Sequence, residues 1–277
     1  QTDFFMRVDK VWIEVAQAHA FVFEVSGTFT QQVKYALCRL ACFGISAFSP
    51  VYMVDAGNKE ELASALSGIC PDGLGFAWAD KPCEPIPDID LQQTSHWSTG
   101  RATEYRAGRW CARVALDKAG VKGEHALLPS EAGLPSWPMG SIGSISHSRG
   151  LCAAVAGCMR SFSLLGLDLE RTDRISPAAA DRVVHPLESD FFGNDLYRAS
   201  LLFSLKEAFY KAQYPRWKLS AGFRDLALKV DPENGCAQVA KMEQVFSEGF
   251  PEGISEAFQM RFKCFGPFVV SLCWIEC

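Results

Sequence analysis

Residues Leu164–Glu170 read LLGLDLE, a run in which leucines alternate with a glycine and two acids. Successive side chains of a β-strand point to opposite faces of the sheet. Asp168 and Glu170 would therefore share one face, and the intervening leucines would share the other. The run predicts a strand with one apolar, core-facing side and one side that carries two carboxylates about 7 Å apart.

The two carboxylates on this strand have two explanations. With nothing between them, Asp168 and Glu170 repel each other, and a hard divalent cation that takes oxygen ligands would relieve the repulsion. A solvated strand face, neutralised by Arg171 and Arg174, accounts for the same residues without a metal. Taken alone, the stretch favours the solvated face.

A second run, Phe203–Lys211, reads FSLKEAFYK and predicts part of a long helix. We expect this helix to extend over about Asp195–Gln213, because Pro215 lacks a backbone N–H and should stop it. Glu207 and Lys211 are four residues apart and would share one helical face. Taken alone, a surface ion pair worth a few tenths of a kcal/mol explains them more simply.

The remaining sequence predicts a further helix, several strands and two irregular segments. Ser98 or Thr99 can cap a helix that runs to about Ala119 and ends at Gly120. Strands are predicted at Cys152–Gly157, Phe223–Val230, Ala257–Phe265 and Phe268–Ile275, and short strands with one helix are predicted within Val11–Ala56. Irregular structure is predicted for the turn-rich segments Cys70–Asp90 and Leu127–Gly143.

The segment Gly140–Gly150, GSIGSISHSRG, is rich in small residues. Small residues let backbone amides approach an anion, and His147 can donate a hydrogen bond to a phosphate. The adjacent Ser146 and His147 do not indicate a hydrolase. The sequence has no G-x-S-x-G elbow, and neighbouring residues on a strand face opposite ways. A turn before the strand at Cys152 is the alternative explanation.

A cationic stripe lies on the first predicted long helix. Arg106, Arg109 and Arg113 fall on one helical face, with Arg101 nearby in the sequence. Guanidinium forks suit phosphate oxygens, so the stripe could bind a phosphate. Taken alone, an exposed cationic face explains it better.

Composition argues against several classes of protein. The chain has 277 residues and a formal net charge of -5, and a mildly acidic chain is a poor binder of nucleic acid. No apolar run reaches membrane-spanning length, and Gln1–Lys10 lacks the features of a signal peptide. The 11 cysteines form no C-x-x-C pair and mostly have apolar neighbours, which indicates reduced thiols in a cytoplasmic protein.

The order of four motifs resembles the 4'-phosphopantetheinyl transferase superfamily. The motifs are Trp137-Pro138-x-Gly140, Gly143–Ser148, Gly166–Glu170 and Phe203–Lys211, and Gly108-Arg109 followed by Ala112-Arg113 fits the same pattern. The resemblance extends over about residues 97–225 and is to the monomeric branch that includes the enterobactin-synthesis enzymes. The combination is specific, whereas each motif alone is not.

The resemblance implies an α/β fold of the α+β type. The family has a pseudo-twofold pair of similar subdomains, each a small sheet packed on a long helix, with coenzyme A bound between them. We therefore expect an N-terminal subdomain at residues 1–160 and a C-terminal subdomain at residues 161–277, which carries the metal-binding acids.

The resemblance also implies roles for individual residues. Asp168, Glu170 and Glu207 would bind Mg²⁺, or alternatively Mn²⁺, and Asp168 would also lie beside the coenzyme A. The predicted phosphate contacts are Lys211 on the pyrophosphate, Ser146 and His147 on the phosphates with His147 near the 3'-phosphate, and Arg109 on the 3'-phosphate with help from Arg106. Glu188 aligns loosely with a further acid of the family. Leu134 stands where many relatives have a lysine before proline.

The implied reaction transfers the 4'-phosphopantetheine arm of coenzyme A to a serine of an apo carrier protein and releases 3',5'-ADP. Glu207 would be the base, directly or through a water molecule, and Lys211 would stabilise the leaving group. The partner would be an acyl, peptidyl or aryl carrier domain in siderophore, peptide, polyketide or fatty-acid synthesis. The alternatives are a catalytically silent coenzyme A-binding protein of the same fold and a magnesium-dependent phosphodiesterase.

Overall fold

The computed structural model describes residues 56–277, apart from residues 84, 124, 131 and 132. The description below concerns the unit Val54–Cys277. The strands and the helix predicted before residue 56 lie outside the described residues. The predicted division at residues 160 and 161 stays a prediction.

Two antiparallel sheets form the framework. The first sheet, in the order β1-β3-β2, consists of β1 (Gly75–Ala79), β2 (Ser141–Ser148) and β3 (Leu151–Cys158). The second, in the order β4-β8-β7-β6-β5, consists of β4 (Phe162–Arg171), β5 (Leu226–Asp231), β6 (Cys236–Met242), β7 (Gln259–Phe265) and β8 (Phe268–Glu276). The prediction of an α+β fold is confirmed.

Seven α-helices occur in the part of the chain that the structure describes. They are α1 (Ala56–Ile69), α2 (Asp88–Gln93), α3 (Thr99–Lys118), α4 (Pro177–Val183), α5 (Ser189–Phe192), α6 (Leu196–Trp217) and α7 (Gln244–Gly249). The predicted helix at residues 98–119 is confirmed, with Ser98 and Ala119 at its cap positions. Within residues 56–277, none of these helices has the length and apolar character needed to cross a membrane.

The predicted end of α6 is wrong. Pro215 lies inside the helix, which continues to Trp217 and ends at Lys218 in the left-handed conformation. A proline removes one helical hydrogen bond, a loss that packing can offset in the last turn of a helix. Here Trp217 packs against Phe250 with ring centroids 4.7 Å apart, which stabilises that turn.

The two sheets repeat one order of elements. In the first half, β1 is followed by α3 and then by the hairpin of β2 and β3, and β3 lies in the middle of its sheet. In the second half, β4 is followed by α6 and later by the hairpin of β7 and β8, and β8 lies between β4 and β7. The hairpin of β5 and β6 extends the second sheet at the side of β7.

Each half has a glycine where its first strand crosses its long helix. A Cβ added to Gly75 would lie 2.0 Å from the Ala115 carbonyl oxygen, and one added to Gly166 would lie 2.0 Å from the Ala208 carbonyl oxygen. The strand backbone therefore rests directly on the helix backbone in both halves. This close contact fixes the position of α6 relative to β4, and both elements carry predicted site residues.

The long helices cover the outer faces of the sheets. Residues 152, 154 and 156 of β3 pack with α3, whereas residues 151, 153 and 155 join a central cluster. In β8, residues 269 and 273 pack with α6, and residues 268, 270, 272 and 274 join the same central cluster, which also contains apolar residues of α1. Burying a large apolar side chain contributes roughly 1.5–3 kcal/mol, so this cluster is a main source of stability.

Three strands differ from the sequence-based expectations. β1 lies within the segment predicted to be irregular, β2 replaces the loop or turn expected at residues 140–150, and β6 was not predicted. β2 pairs with β3 along its whole length, from Ser141↔Cys158 to Ser148↔Leu151. The connecting Arg149-Gly150 has positive φ at both residues, as in a tight hairpin turn. Pairing with β3 therefore outweighs the low strand propensity of the serines and glycines.

Candidate active site

A hydrogen-bonded group of three side chains joins β2, β4 and α6. The Lys211 ammonium donates to Asp168 Oδ1 at 2.6 Å and to Ser146 Oγ at 3.0 Å. The Ser146 hydroxyl donates to the same oxygen of Asp168 at 3.0 Å. Asp168 and Ser146 are buried and the Lys211 side chain is 28% exposed, so water is largely excluded from the carboxylate end of these contacts. Three predicted site residues from three separate elements thus meet at one carboxylate.

Glu170 lies on the same side of β4 as Asp168, as strand alternation predicts. Its Oε1 accepts hydrogen bonds from the Ser148 hydroxyl at 3.1 Å, from the Arg171 amide at 2.7 Å and from Arg174 Nη1 at 3.3 Å. The alternative of a solvated strand face is wrong, because Asp168 is buried and the Glu170 side chain is 17% exposed.

Glu207 lies beside this group on α6 and is buried. Burial raises the pKa of Glu207 to about 7, the Lys211 ammonium opposes the rise, and Asp168 and Glu170 add to it. Burial also acts to lower the pKa of Lys211, but Asp168 and Glu207 outweigh burial and keep that pKa above its usual value. Glu207 and Lys211 are therefore not a simple surface pair, because both interact with the acids of β4.

Serine side chains connect the facing edges of β2 and β4. The Leu167 amide donates to Ser144 Oγ at 2.9 Å, and the Leu169 amide donates to Ser146 Oγ at 3.1 Å. Ser148 then reaches the Glu170 carboxylate, as described above. Alternate residues of β2 therefore face alternate residues of β4. The two strands are joined by hydrogen bonds of serine hydroxyl groups, in the position where paired strands would have backbone hydrogen bonds. We call Ser144, Ser146 and Ser148 the serine ladder.

Of the predicted metal ligands, Asp168 contacts the Lys211 ammonium directly, and Glu170 and Glu207 act on it electrostatically. Within residues 56–277, as far as the structure describes them, no group of three or more His, Cys, Asp or Glu side chains is arranged to hold a metal ion. Asp168 Oδ2 is nevertheless buried without a hydrogen-bond partner among the described residues. A buried carboxylate oxygen without a partner is costly, and a cation would relieve that cost. The carboxylates of Asp168, Glu170 and Glu207 supply the type of donor that a hard divalent cation takes, and in the described structure the Lys211 ammonium is the cation that Asp168 contacts.

Two of the three predicted phosphate contacts outside this group, His147 and Arg106, have local partners. His147 follows Ser146 on β2 and is exposed, with Nδ1 3.7 Å from Glu104 Oε2 on α3. The Arg106 Nε donates to Thr94 Oγ1 at 2.8 Å. His147 therefore faces solvent beside α3, and Arg106 holds the segment that follows α2.

In the arginine stripe of α3, Arg109 is buried and Arg106 and Arg113 are half-buried, so the expectation of an exposed cationic face is wrong. Arg113 forms a bidentate ion pair with the buried Asp90, at 2.7 and 2.8 Å. The Arg109 guanidinium lies over the Tyr105 ring, 4.4 Å from its centroid, and its buried Nε has no hydrogen-bond partner. Burial lowers the pKa of Arg109 from its usual value. Neither side chain contacts Ser146, Asp168 or Lys211 in the described structure.

Sequence reasoning missed a buried ion pair next to Glu207. The Lys206 ammonium donates to Glu188 Oε2 at 2.8 Å, to the Val183 carbonyl at 2.8 Å and to the Phe223 carbonyl at 3.0 Å. The pair connects α6 to the segments before and after it. The asymmetry of the run KEAFYK, in which one lysine precedes Glu207 and another follows it, could have suggested two different lysine environments.

Two family models match the chain on either side of the connection between β3 and β4. The 4'-phosphopantetheinyl transferase N-terminal domain matches residues 92–157, and the 4'-phosphopantetheinyl transferase superfamily matches residues 164–255. The first match contains β2 with Ser146 and His147. The second contains Asp168, Glu170 and the whole of α6.

Curated relatives agree with these matches. The chain is 32% identical over 168 residues to 4'-phosphopantetheinyl transferase Svp of Streptomyces mobaraensis, a match that covers 57% of this chain and 68% of that protein. It is 30% identical over 180 residues to 4'-phosphopantetheinyl transferase PptT of Mycobacterium tuberculosis, covering 62% and 78%. It is 32% identical over 139 residues to enterobactin synthase component D of Escherichia coli K12, covering 48% and 64%. The ordered motifs, the family models and these relatives agree that this chain belongs to the 4'-phosphopantetheinyl transferase superfamily.

Proposed function

We propose that the protein transfers the 4'-phosphopantetheine arm of coenzyme A to a serine of an apo carrier protein and releases 3',5'-ADP. One observation carries the proposal within this family. Ser146, Asp168 and Lys211 meet in a buried hydrogen-bonded group, and Glu207 lies beside it with its pKa raised to about 7 by burial. A base with a pKa near neutrality beside a fixed cation suits transfer from a diphosphate to a hydroxyl.

In the proposed reaction, the carrier serine oxygen attacks the phosphorus atom that bears the pantetheine arm. The serine proton passes to the Glu207 carboxylate, directly or through a water molecule. A new O–P bond forms while the bond from that phosphorus to the bridging oxygen breaks. The Lys211 ammonium stabilises the charge that develops on the departing 3',5'-ADP, and Ser146 holds Asp168 and Lys211 in place.

We assign Mg²⁺, with Mn²⁺ as the alternative, to the carboxylates of Asp168, Glu170 and Glu207. The three carboxylates outnumber the two cations that contact them, Lys211 on Asp168 and Arg174 on Glu170, and Asp168 Oδ2, which has no hydrogen-bond partner among the described residues, supports a hard cation there. When bound, the ion would neutralise the diphosphate and polarise the phosphorus under attack.

The remaining assignments belong to the same proposal. His147 is exposed beside Ser146 and can reach a phosphate, and we retain it near the 3'-phosphate of coenzyme A. We retain Arg109 as a second contact to that phosphate, because the Arg109 Nε has no hydrogen-bond partner among the described residues. Arg106 would assist it. The free thiols of the described cysteines suit a reduced, cytoplasmic enzyme, and we propose that it acts as a monomer.

Intact-mass measurement on carrier proteins tests the proposal. Purified protein, Mg²⁺, coenzyme A and an apo carrier should give a carrier heavier by one phosphopantetheine, whereas a carrier with its acceptor serine changed to alanine should keep its mass. Unchanged masses across acyl, peptidyl and aryl carriers would overturn the proposal. Hydrolysis of coenzyme A without a carrier would indicate a phosphodiesterase, and tight binding without turnover would indicate a silent binding protein.

A further inference from the structure

Two members of the serine ladder each donate a hydrogen bond to one oxygen of a β4 carboxylate. Ser146 donates to Asp168 Oδ1 at 3.0 Å, and Ser148 donates to Glu170 Oε1 at 3.1 Å. Asp168 Oδ2 has no partner, and the three hydrogen bonds that described residues donate to Glu170 all reach Oε1. In each pair, a serine from the opposite sheet binds one carboxylate oxygen, and the hydrogen bonds among the described residues do not use the other.

Ser148 is suited to fix the rotamer of Glu170. It is buried on β2, and its backbone is paired with Leu151, so the residue has a fixed place in the first sheet. Arg174, the other side chain on Oε1, is a long and partly exposed residue at 3.3 Å. The third donor is the amide of the adjacent Arg171, which moves with Glu170 itself. Ser148 is therefore the contact that ties Glu170 to the first sheet.

We propose that Ser148 is a positioning residue, which holds Glu170 through Oε1 so that Oε2 remains available to a divalent cation. The inference rests on the proposed function for the identity of the cation site. It adds a role for a residue that contacts neither coenzyme A nor the carrier in the mechanism above.

Ser144 provides a matched control on the same strand. It is also buried, lies four residues before Ser148 and bonds β4, but its hydrogen-bond partner there is the Leu167 amide, at 2.9 Å, instead of a carboxylate. Both Ser144→Ala and Ser148→Ala remove one hydroxyl from the junction of the sheets. Both should lower the Tm, so a difference in cation binding separates positioning from general stability.

The experiment titrates Mn²⁺ into the full chain in the presence of coenzyme A and follows free Mn²⁺ by electron paramagnetic resonance. Loss of one of the three hydrogen bonds on Glu170 should raise the Kd for Mn²⁺ about 3- to 10-fold in Ser148→Ala. Ser144→Ala should bind Mn²⁺ like the unmodified protein, and Ser148→Thr, which keeps the hydroxyl, should restore binding to within about twofold.

Carrier modification supplies a second readout. Ser148→Ala should need more Mg²⁺ for half-maximal transfer, and its kcat should recover at saturating Mg²⁺. Equal Mn²⁺ affinities for Ser148→Ala and Ser144→Ala, or a kcat deficit that Mg²⁺ does not restore, would overturn the positioning role. Weaker Mn²⁺ binding by Ser148→Ala in a protein that modifies no carrier would support positioning and overturn the proposed function alone.

Discussion

The carboxylate of Asp168 divides its two oxygens between two environments. Oδ1 accepts from Lys211 and Ser146, whereas Oδ2 is buried without a partner. A neutral amide at this position would keep the shape but would lose most of the attraction to the Lys211 ammonium. The charge at this single position therefore couples β4 to α6 and keeps Lys211 next to the proposed diphosphate site.

Replacing Glu207 by glutamine should abolish most transfer, because the amide keeps the shape but cannot accept the serine proton. We expect a loss of about 10²–10⁴-fold in kcat/KM, measured by carrier modification. Circular dichroism should show an unchanged fold, since the variant removes a buried charge. Glu252→Gln, at an exposed position, is the matched control and should retain full activity. Wild-type rates for Glu207→Gln would remove this residue from both proposed roles.

The raised pKa of Glu207 predicts a pH dependence of stability in EDTA. Its pKa rises from 4.5 to about 7, chiefly through burial. Between those values the folded protein keeps a proton that the unfolded chain has lost. This group therefore makes the free energy of unfolding fall as the pH rises across that window. Urea unfolding between about pH 5 and pH 7 should show a steeper fall for the wild type than for Glu207→Gln. Parallel curves would contradict the assigned environment.

At the scale of elements, the crossing of β4 and α6 brings Asp168 within reach of Lys211. Gly166 allows this crossing because a Cβ there would lie 2.0 Å from the Ala208 carbonyl oxygen and 2.5 Å from the Ala212 amide nitrogen. Both contacts are with helix backbone, which cannot move aside as a flexible side chain can. The spacing of strand and helix therefore depends on the absence of a side chain at position 166.

Gly166→Ala should destabilise the protein by about 3 kcal/mol or more, because the added methyl group must push β4 away from α6. Transfer should fall as well, since Asp168 moves with the strand. Gly68→Ala is the control: nothing lies within 4 Å of a Cβ at that helical glycine, and the change should stabilise slightly. Chemical denaturation measures both effects, and equal free energies of unfolding for the two variants would contradict the close contact.

The elements differ in how far the sequence predicts them. Alternating leucines predicted β4, and the serine at position 98 predicted the start of α3 although its side chain makes no capping hydrogen bond there, because these signals are local. β2 escaped prediction because its serines and glycines have low strand propensity and its turn, Arg149-Gly150, lacks the usual asparagine or aspartate. Its pairing with β3 is a tertiary effect that no local signal reveals.

The candidate site was predictable in part. The motif order identified Asp168, Glu170, Glu207 and Lys211, and strand alternation gave the shared side of the first two. The sequence could not show that Ser148 holds Glu170, although serines at alternate positions opposite two acids at alternate positions were a usable signal. The burial of Arg109 also escaped prediction, because its charge and helical position suit an exposed face equally well.

At the scale of the whole molecule, the two halves share an arrangement but not a site. Gly75 and Gly166 occupy equivalent places in the two halves, and so do the helix residues that they contact, Ala115 and Ala208. On this basis the first-half equivalents of Asp168, Glu170 and Glu207 are Ala77, Ala79 and Val114. Alanine and valine cannot bind a cation. The lysine equivalent to Lys211, Lys118, donates to the Phe76 carbonyl at 2.9 Å.

This asymmetry predicts one coenzyme A per chain. Isothermal titration of coenzyme A into the protein with Mg²⁺ should give a stoichiometry near one, because the carboxylates of the second half have no counterparts in the described first half. Asp168→Asn, which removes one of the carboxylates, is the control, and it should raise the Kd of this single binding event. Two equivalent binding events per chain would contradict the argument.

The buried Glu188 has a consequence for self-association. Its Oε1 accepts the Leu228 amide at 2.7 Å, and Leu228 lies on β5, the outermost strand of the second sheet. An outermost strand with free amides can recruit a strand from another molecule, so this carboxylate occupies a position that a foreign chain would otherwise use. Shortening the side chain to alanine should thus favour aggregation during refolding, beyond what its loss of stability alone explains.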